Sequence, residues 1–163
     1  MILDVGCGPG HVTRYVAGRG ADAMGIDFSV EMAATARRRT GMAFAVADMC
    51  DLPVVAAALD GVVVRYSIIH LERGDVPVTL RELRRVVRYG GHVLVVVHEG
   101  EGTVHVDDFR GRGVPMDATL FRRDELVATL AASGFEAVLV RERAPLPHEY
   151  AATKLSVLAR AAG

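Results

Sequence analysis

Short apolar runs alternate along this chain with stretches whose apolar residues recur every three or four positions. The first pattern predicts strands and the second amphipathic helices. Ile2–Val5 predicts a first strand, and Gly6-Cys7-Gly8-Pro9-Gly10 behind it is too rich in glycine to be anything but loop. Val12, Tyr15 and Val16 have helical spacing, ended by Gly18-Arg19-Gly20. Ala23–Asp27 predicts a second strand, and Ser29 an N-cap for a helix that runs to Thr40 and stops at Gly41. Ala43–Ala47 predicts a third strand, Asp48 to Leu59 a loop with a helical turn, and Val62–Tyr66 a fourth strand. Val76, Leu80, Leu83 and Val87 then share one face, opposite Arg81, Glu82, Arg84, Arg85 and Arg88, which marks an amphipathic helix closed by Gly90-Gly91. His92–Val97 predicts a fifth strand, and His98–Leu120, with four glycines and little periodicity, an irregular stretch. Leu126, Val127, Leu130 and Ala131 form a last helix face, ended by Gly134; two final strands, about Glu136–Arg141 and Leu155–Ala159, flank a proline-rich hinge at Ala144–His148.

Such alternation predicts an α/β fold: a doubly wound, mainly parallel sheet of about seven strands with helices on both faces. No helix separates the last two strands, so the final one is expected to run antiparallel. Without a repeat or linker, residues 1–163 read as one domain.

Composition narrows the function. With 51% hydrophobic and 24% charged residues among 163, the chain is globular rather than disordered. A net charge of −1 gives no basic footprint for nucleic acid. The mean hydropathy of +0.27 comes from short Val-rich runs such as Val93–Val97, far below the roughly 18 residues of a membrane-spanning helix. Two cysteines, Cys7 and Cys50, form neither a disulfide framework nor a zinc-type spacing, and Met1-Ile2-Leu3-Asp4 has no signal-peptide core, so a reducing, cytoplasmic setting is expected.

In a doubly wound sheet the ligand lies beyond the carboxyl ends of the strands, where the strand order reverses. The loop after strand one is therefore the first candidate. Its glycines let a ligand lie against the backbone, and Asp27, nineteen residues after Gly8 at the tip of strand two, is placed to accept hydrogen bonds from ribose hydroxyls. A dinucleotide fingerprint G-x-G-x-x-G needs its third glycine at position 11, where this chain has His11. That disfavours a nucleotide-dependent oxidoreductase.

Leu3-Asp4-Val5-Gly6-Cys7-Gly8-Pro9-Gly10 is similar to the first motif of class I S-adenosylmethionine (SAM) dependent methyltransferases, a Rossmann-like family. Gly25-Ile26-Asp27-Phe28-Ser29 with Met32 resembles their second motif, and Ala47-Asp48-Met49 with Leu52-Pro53 their third. Tyr66-Ser67-Ile68-Ile69-His70-Leu71 resembles the fourth-strand motif of the small-molecule branch, and the tail Pro147-His148-Glu149-Tyr150, before the last strand, resembles an actinobacterial subgroup. The resemblance implies SAM as cofactor. Gly6, Gly8 and Gly10, with Cys7 between them, would pack against its methionine part, and Asp4 would help to hold its amino group. Asp27 would bind the ribose and Asp48 the adenine amino group. Met49, Phe28 and Met32 would border the ring, and Tyr66 would lie near the methionine end. The family usually has helices before its first strand. This sequence starts at that strand, so weak SAM affinity and an exposed apolar patch are expected.

Methyl transfer from a sulfonium is an in-line displacement that mainly needs alignment, and a general base is optional. Candidates near the acceptor are therefore His70, His98, His105 and Tyr66, with His98–Leu120 building the pocket. The Cys7 thiol reads as a packing group, and Arg37-Arg38-Arg39 as a solvated helix face. His105-Val106-Asp107-Asp108 lacks a third ligand at convincing spacing, so no metal is assigned. The expected partner is a small-molecule methyl acceptor, with no nucleic acid and no membrane; a homodimer is left open. The competing reading is an inactive domain of the same fold serving as a partner subunit.

Overall fold

The computed structural model describes residues 1–108, 113–147 and 149–163; positions 109–112 of the irregular stretch and His148 of the hinge lie outside the described residues. Nine strands and four α-helices follow in order: β1 (Ile2–Val5), α1 (His11–Ala17), β2 (Ala23–Asp27), α2 (Val30–Thr40), β3 (Phe44–Val46), β4 (Leu59–Arg65), a 3-10 turn (Ile68–His70), α3 (Val76–Val86), β5 (Val87–His98), β6 (Thr103–Val106), β7 (Met116–Thr119), α4 (Arg123–Ala132), β8 (Phe135–Arg143) and β9 (Lys154–Ala161). Seven strands form one sheet in the order β3-β2-β1-β4-β5-β9-β8. The pairs β1–β2, β2–β3, β1–β4 and β4–β5 are parallel, whereas β9 runs antiparallel to both β5 and β8. Strand order reverses between β1 and β4, which opens a crevice at their carboxyl ends.

Side-chain alternation sets the two faces. Leu3, Val5, Val62, Val64, Val93, Val95, Val97, Leu155 and Val157 are buried with Leu80, Leu83, Leu126 and Leu130 of α3 and α4 in one cluster. A smaller cluster, Cys7, Ala33, Ala36 and Phe44, joins α2 to the other face. On that second face Val63, Leu94, Leu158 and Leu139 stand in register across β4, β5, β9 and β8, and Leu139 is 56% exposed. The Oγ of Ser29 accepts from the Met32 amide at 3.2 Å and caps α2 as its sequence implies. Ser29→Ala is expected to lower stability by about 1 kcal/mol in urea unfolding.

Four sequence expectations need correction. Asp48 to Leu59 contains no helical turn, because α3 side chains supply its hydrogen bonds: Arg85 donates to the carbonyls of Val54 at 2.8 Å and Leu52 at 3.0 Å, and Glu82 accepts from the Leu52 amide at 2.7 Å. Val87 is not on the helix; it turns extended and pairs with Leu59. Arg84 does not face solvent freely but donates to the carbonyls of Gly134 and Ala162, tying α3 to the ends of α4 and β9. The irregular stretch contains a two-stranded ribbon, β6–β7, pairing His105 with Asp117. Four residues per strand are too few to show a period, and docking on the 3-10 turn holds the ribbon, with Thr119 Oγ1 donating to the Leu71 carbonyl at 3.3 Å. Among the described residues no helix is long and apolar enough to cross a membrane.

Candidate active site

Parallel pairing brings the carboxyl ends of β1, β2, β3, β4 and β5 to one edge, and antiparallel β9 contributes its first residue there. The loop Gly6–Gly10 leaves β1 with Gly6, Gly8 and Gly10 all at positive φ (70°, 51° and 81°). These glycines do three different jobs. A Cβ on Gly6 would fall 2.2 Å from Ser67 Cβ, so its bare backbone lets this loop meet the loop after β4. A Cβ on Gly10 would lie 2.9 Å from the Phe44 ring and 3.1 Å from Ala36, so the missing side chain there serves packing of α2 and β3. A Cβ on Gly8 would meet nothing within 4 Å; there the loop leaves open space for a ligand. Packing thus accounts for the missing side chains of Gly6 and Gly10, whereas at Gly8 no described atom fills the space.

Asp27, the last residue of β2, accepts from the Gly8 amide at 2.7 Å through Oδ2 and from the Ser29 amide at 2.9 Å through Oδ1. The acid and the glycine bend thus converge. Asp4 is 3% exposed and accepts from Thr13 Oγ1 at 2.6 Å. Burial pushes its carboxyl above the usual range, and the Thr13 hydroxyl partly offsets this. Beside Asp27, Phe28 is 75% exposed and Met32 projects from the first turn of α2 at 40% exposure, unusual for side chains this apolar. After β3, Asp48 is exposed and accepts from the Cys50 amide at 2.8 Å, while Met49 Cε lies 3.6 Å from where a Gly6 Cβ would stand. Cys7 is buried, and burial with Asp4 and Asp27 nearby pushes its thiol up to about 12, which makes it a packing group rather than a nucleophile. Cys50 is partly buried against Thr79 Oγ1 at 3.2 Å.

On the other side of the crevice stand the histidines and Tyr66. Tyr66 follows β4 at φ 54°, a left-handed conformation that is strained for a tyrosine, and its ring stacks on His98 at 4.7 Å. His98 ends β5, and Tyr150 borders it at 5.3 Å. His70 ends the 3-10 turn with Nδ1 3.3 Å from the Asp117 carbonyl. A carbonyl only accepts, so Nδ1 is the donor in this contact, and Nε2 makes no hydrogen bond to a described residue. His105 does not offer one: Nδ1 meets Asp117 Oδ1 at 2.6 Å and Nε2 meets Asp107 Oδ1 at 3.2 Å, and Asp117 raises its pKa. His105 is an exposed group on β6 with both ring nitrogens facing carboxylates. Among the described residues no group of three or more metal-ligating side chains occurs.

Four contributors escape the sequence reading. Thr13 has the spacing of an ordinary helix residue, and Ser67 is one polar residue within a quoted motif. Arg65 places its guanidinium 4.5 Å over the Tyr66 ring. Lys154 opens β9, one residue before the strand expected from Leu155, and a lysine abutting Leu155-Ser156-Val157 was the available signal.

Residues 2–91 match the family described as a methyltransferase domain, more than half of the chain. The chain belongs to that family, the class I SAM-dependent methyltransferases, and SAM is its cofactor. It is 37% identical over 94 residues to the malonyl-[acyl-carrier protein] O-methyltransferase of Salmonella typhimurium, covering 56% of this chain and 36% of that one. It is 32% identical over 95 residues to the demethylmenaquinone methyltransferase of Beutenbergia cavernae, covering 58% and 39%. The chain therefore spans little more than a third of the curated relatives it matches. Its fold is shared by a SAM-dependent methyltransferase of Methanosarcina mazei (TM-score 0.88, 19% identity, 99% of this chain and 92% of that one). It is also shared by the 1,6-didemethyltoxoflavin-N1-methyltransferase of Burkholderia thailandensis, solved with its substrate and S-adenosylhomocysteine (TM-score 0.80, 22% identity, 99% and 71%).

Proposed function

We propose that this chain transfers the methyl group of SAM to a small organic acceptor by in-line displacement. The observation that carries the reading is the 2.7 Å hydrogen bond from the Gly8 amide to Asp27, which unites an open glycine ledge and an acid at the sheet edge. Asp27 would bind the ribose hydroxyls, Phe28, Met32, Asp48 and Met49 would border the adenine, and the Gly6–Gly10 backbone would follow the methionine part, with Asp4 behind it. The acceptor would approach from the Tyr66–His98 side under the β6–β7 ribbon. A relative named for demethylmenaquinone supports a small organic acceptor, and one named for malonyl-[acyl-carrier protein] an organic acid carried on a protein. Where the acceptor's proton must be removed, His70 Nε2 is the base this geometry offers. The free thiols Cys7 and Cys50 favour a cytoplasmic setting.

Calorimetry with S-adenosylhomocysteine, followed by transfer of labelled methyl to a panel of small carboxylic acids, phenols and amines, tests the reading. Binding and turnover of a small acceptor are expected. Absence of cofactor binding by the folded protein, or transfer only to RNA or protein, overturns it.

A further inference from the structure

Lys154 is 3% exposed, yet among the described residues no carboxylate lies within salt-bridge distance of it. Its ammonium donates to the Tyr150 carbonyl at 2.6 Å and lies 3.3 Å from His98 Nδ1. The β5–β9 register puts the two residues directly opposite each other, at the sheet edge where the acceptor is proposed to enter. Burying a cation without an anionic partner is costly, and such groups are rarely retained without a role. Glu149, the acid whose charge acts on Lys154, is taken up by Arg143 through two 2.9 Å contacts.

An ammonium has only donors, so His98 Nδ1 accepts from Lys154 and the ring proton sits on Nε2. Burial and the Lys154 charge drive the His98 pKa down to about 4, so the ring is neutral at physiological pH. Tyr66 lies nearly parallel to the imidazole, 18° between planes, and Tyr150 packs against it at 56°. The ring is therefore fixed in tautomer and orientation, and Nε2–H makes no hydrogen bond to any described residue. The charged groups around it are cationic in balance: Arg65 from β4, Lys154 from β9, and Arg143 at the end of β8, which is neutralised by Glu149.

We propose that His98, positioned by Lys154, is an oxyanion-binding residue that selects methyl acceptors whose reacting group is an already ionised oxygen, a carboxylate or an ionised phenol or enol. This rests on the methyltransferase reading above. His98 Nε2–H donates to the anion, and Lys154 acts through His98 as a positioning residue. In the transfer an oxygen lone pair forms the O–CH3 bond while the C–S bond breaks, and its electron pair returns to sulfur. The sulfonium becomes a neutral thioether and the oxyanion a neutral ester or ether. No proton is moved, so His98 need not act as a base, and the neutral product loses its hold on the cationic edge.

The test uses the full chain saturated with S-adenosylhomocysteine, whose binding is measured first; failure there is failure of the methyltransferase reading and not of this one. Imidazole nitrogen NMR is expected to show His98 protonated at Nε2 and neutral from pH 5 to 8. Benzoate and 4-nitrophenolate are expected to shift the His98 Nε2–H signal, and benzamide is not. His98→Phe keeps the aromatic stack and removes the donor; it is expected to weaken benzoate binding at least about tenfold with cofactor binding unchanged. Lys154→Met is expected to free the tautomer and raise the His98 pKa toward its ordinary value, while Lys154→Arg preserves both. Benzamide binding as well as benzoate, no benzoate binding at all, or full benzoate affinity in His98→Phe each overturns the proposal.

Discussion

Replacing Gly6 with alanine is expected to destabilise the fold by roughly 2–5 kcal/mol, the sum of left-handed backbone strain and overpacking in a filled site. The backbone there has φ 70°, which an L side chain resists. The new methyl would also fall 2.2 Å from Ser67 Cβ, with Ser67 Oγ at 2.8 Å. Ser67 cannot simply withdraw: it is buried, and its hydroxyl donates to the Val5 carbonyl at 2.8 Å, which holds the post-β4 loop against β1. A second substitution separates the two costs. Ser67→Gly in the Gly6→Ala background removes the clash and is expected to restore the overpacking share, leaving about 1–2 kcal/mol of backbone strain plus the lost hydrogen bond. Urea unfolding of the four proteins closes the cycle. Equal stability of Gly6→Ala and the parent protein would show that the two loops do not meet as described.

Asp27→Ala is expected to reduce affinity for S-adenosylhomocysteine at least about 100-fold, near 2.7 kcal/mol. Both carboxylate oxygens are anchored by backbone amides, Gly8 at 2.7 Å and Ser29 at 2.9 Å, so the substitution removes the proposed ribose acceptor and also releases the glycine bend proposed to follow the ligand. Asp27→Asn retains one acceptor oxygen and nearly the same shape, and is expected to lose about tenfold. Calorimetry measures both, with circular dichroism to confirm the fold. Undiminished binding in Asp27→Ala would remove this edge as the ribose site.

The convergence of the glycine bend with Asp27 was readable from sequence because its signals are local. Gly6, Gly8 and Gly10 punctuate one loop, Asp27 closes one strand, and Ser29 caps the helix that follows. Each is read within a few residues of its neighbours, and the register of parallel strands then aligns them without further information. The long-range features were not readable. The order that puts β9 between β5 and β8 arises from pairings distant in sequence, and so does the juxtaposition of His98 with Lys154, 56 positions apart. The β6–β7 ribbon was missed because it owes its shape to docking on Leu71 and the 3-10 turn rather than to its own alternation. Arg84 and Arg85 looked like solvent-facing charges on a helical pattern, since nothing local reveals that backbone carbonyls of other segments await them.

The direction of β9 brings a stretch of sequence far from the glycine bend to the proposed acceptor side. Because that strand runs against its neighbours, its opening residue, rather than its last, arrives at the reactive rim. Every residue proposed to grip the sulfonium donor precedes residue 71, whereas Lys154, proposed to orient His98, lies more than eighty positions further along. On the proposed arrangement, substitutions between Ala144 and Lys154 are expected to alter acceptor affinity while S-adenosylhomocysteine affinity stays unchanged.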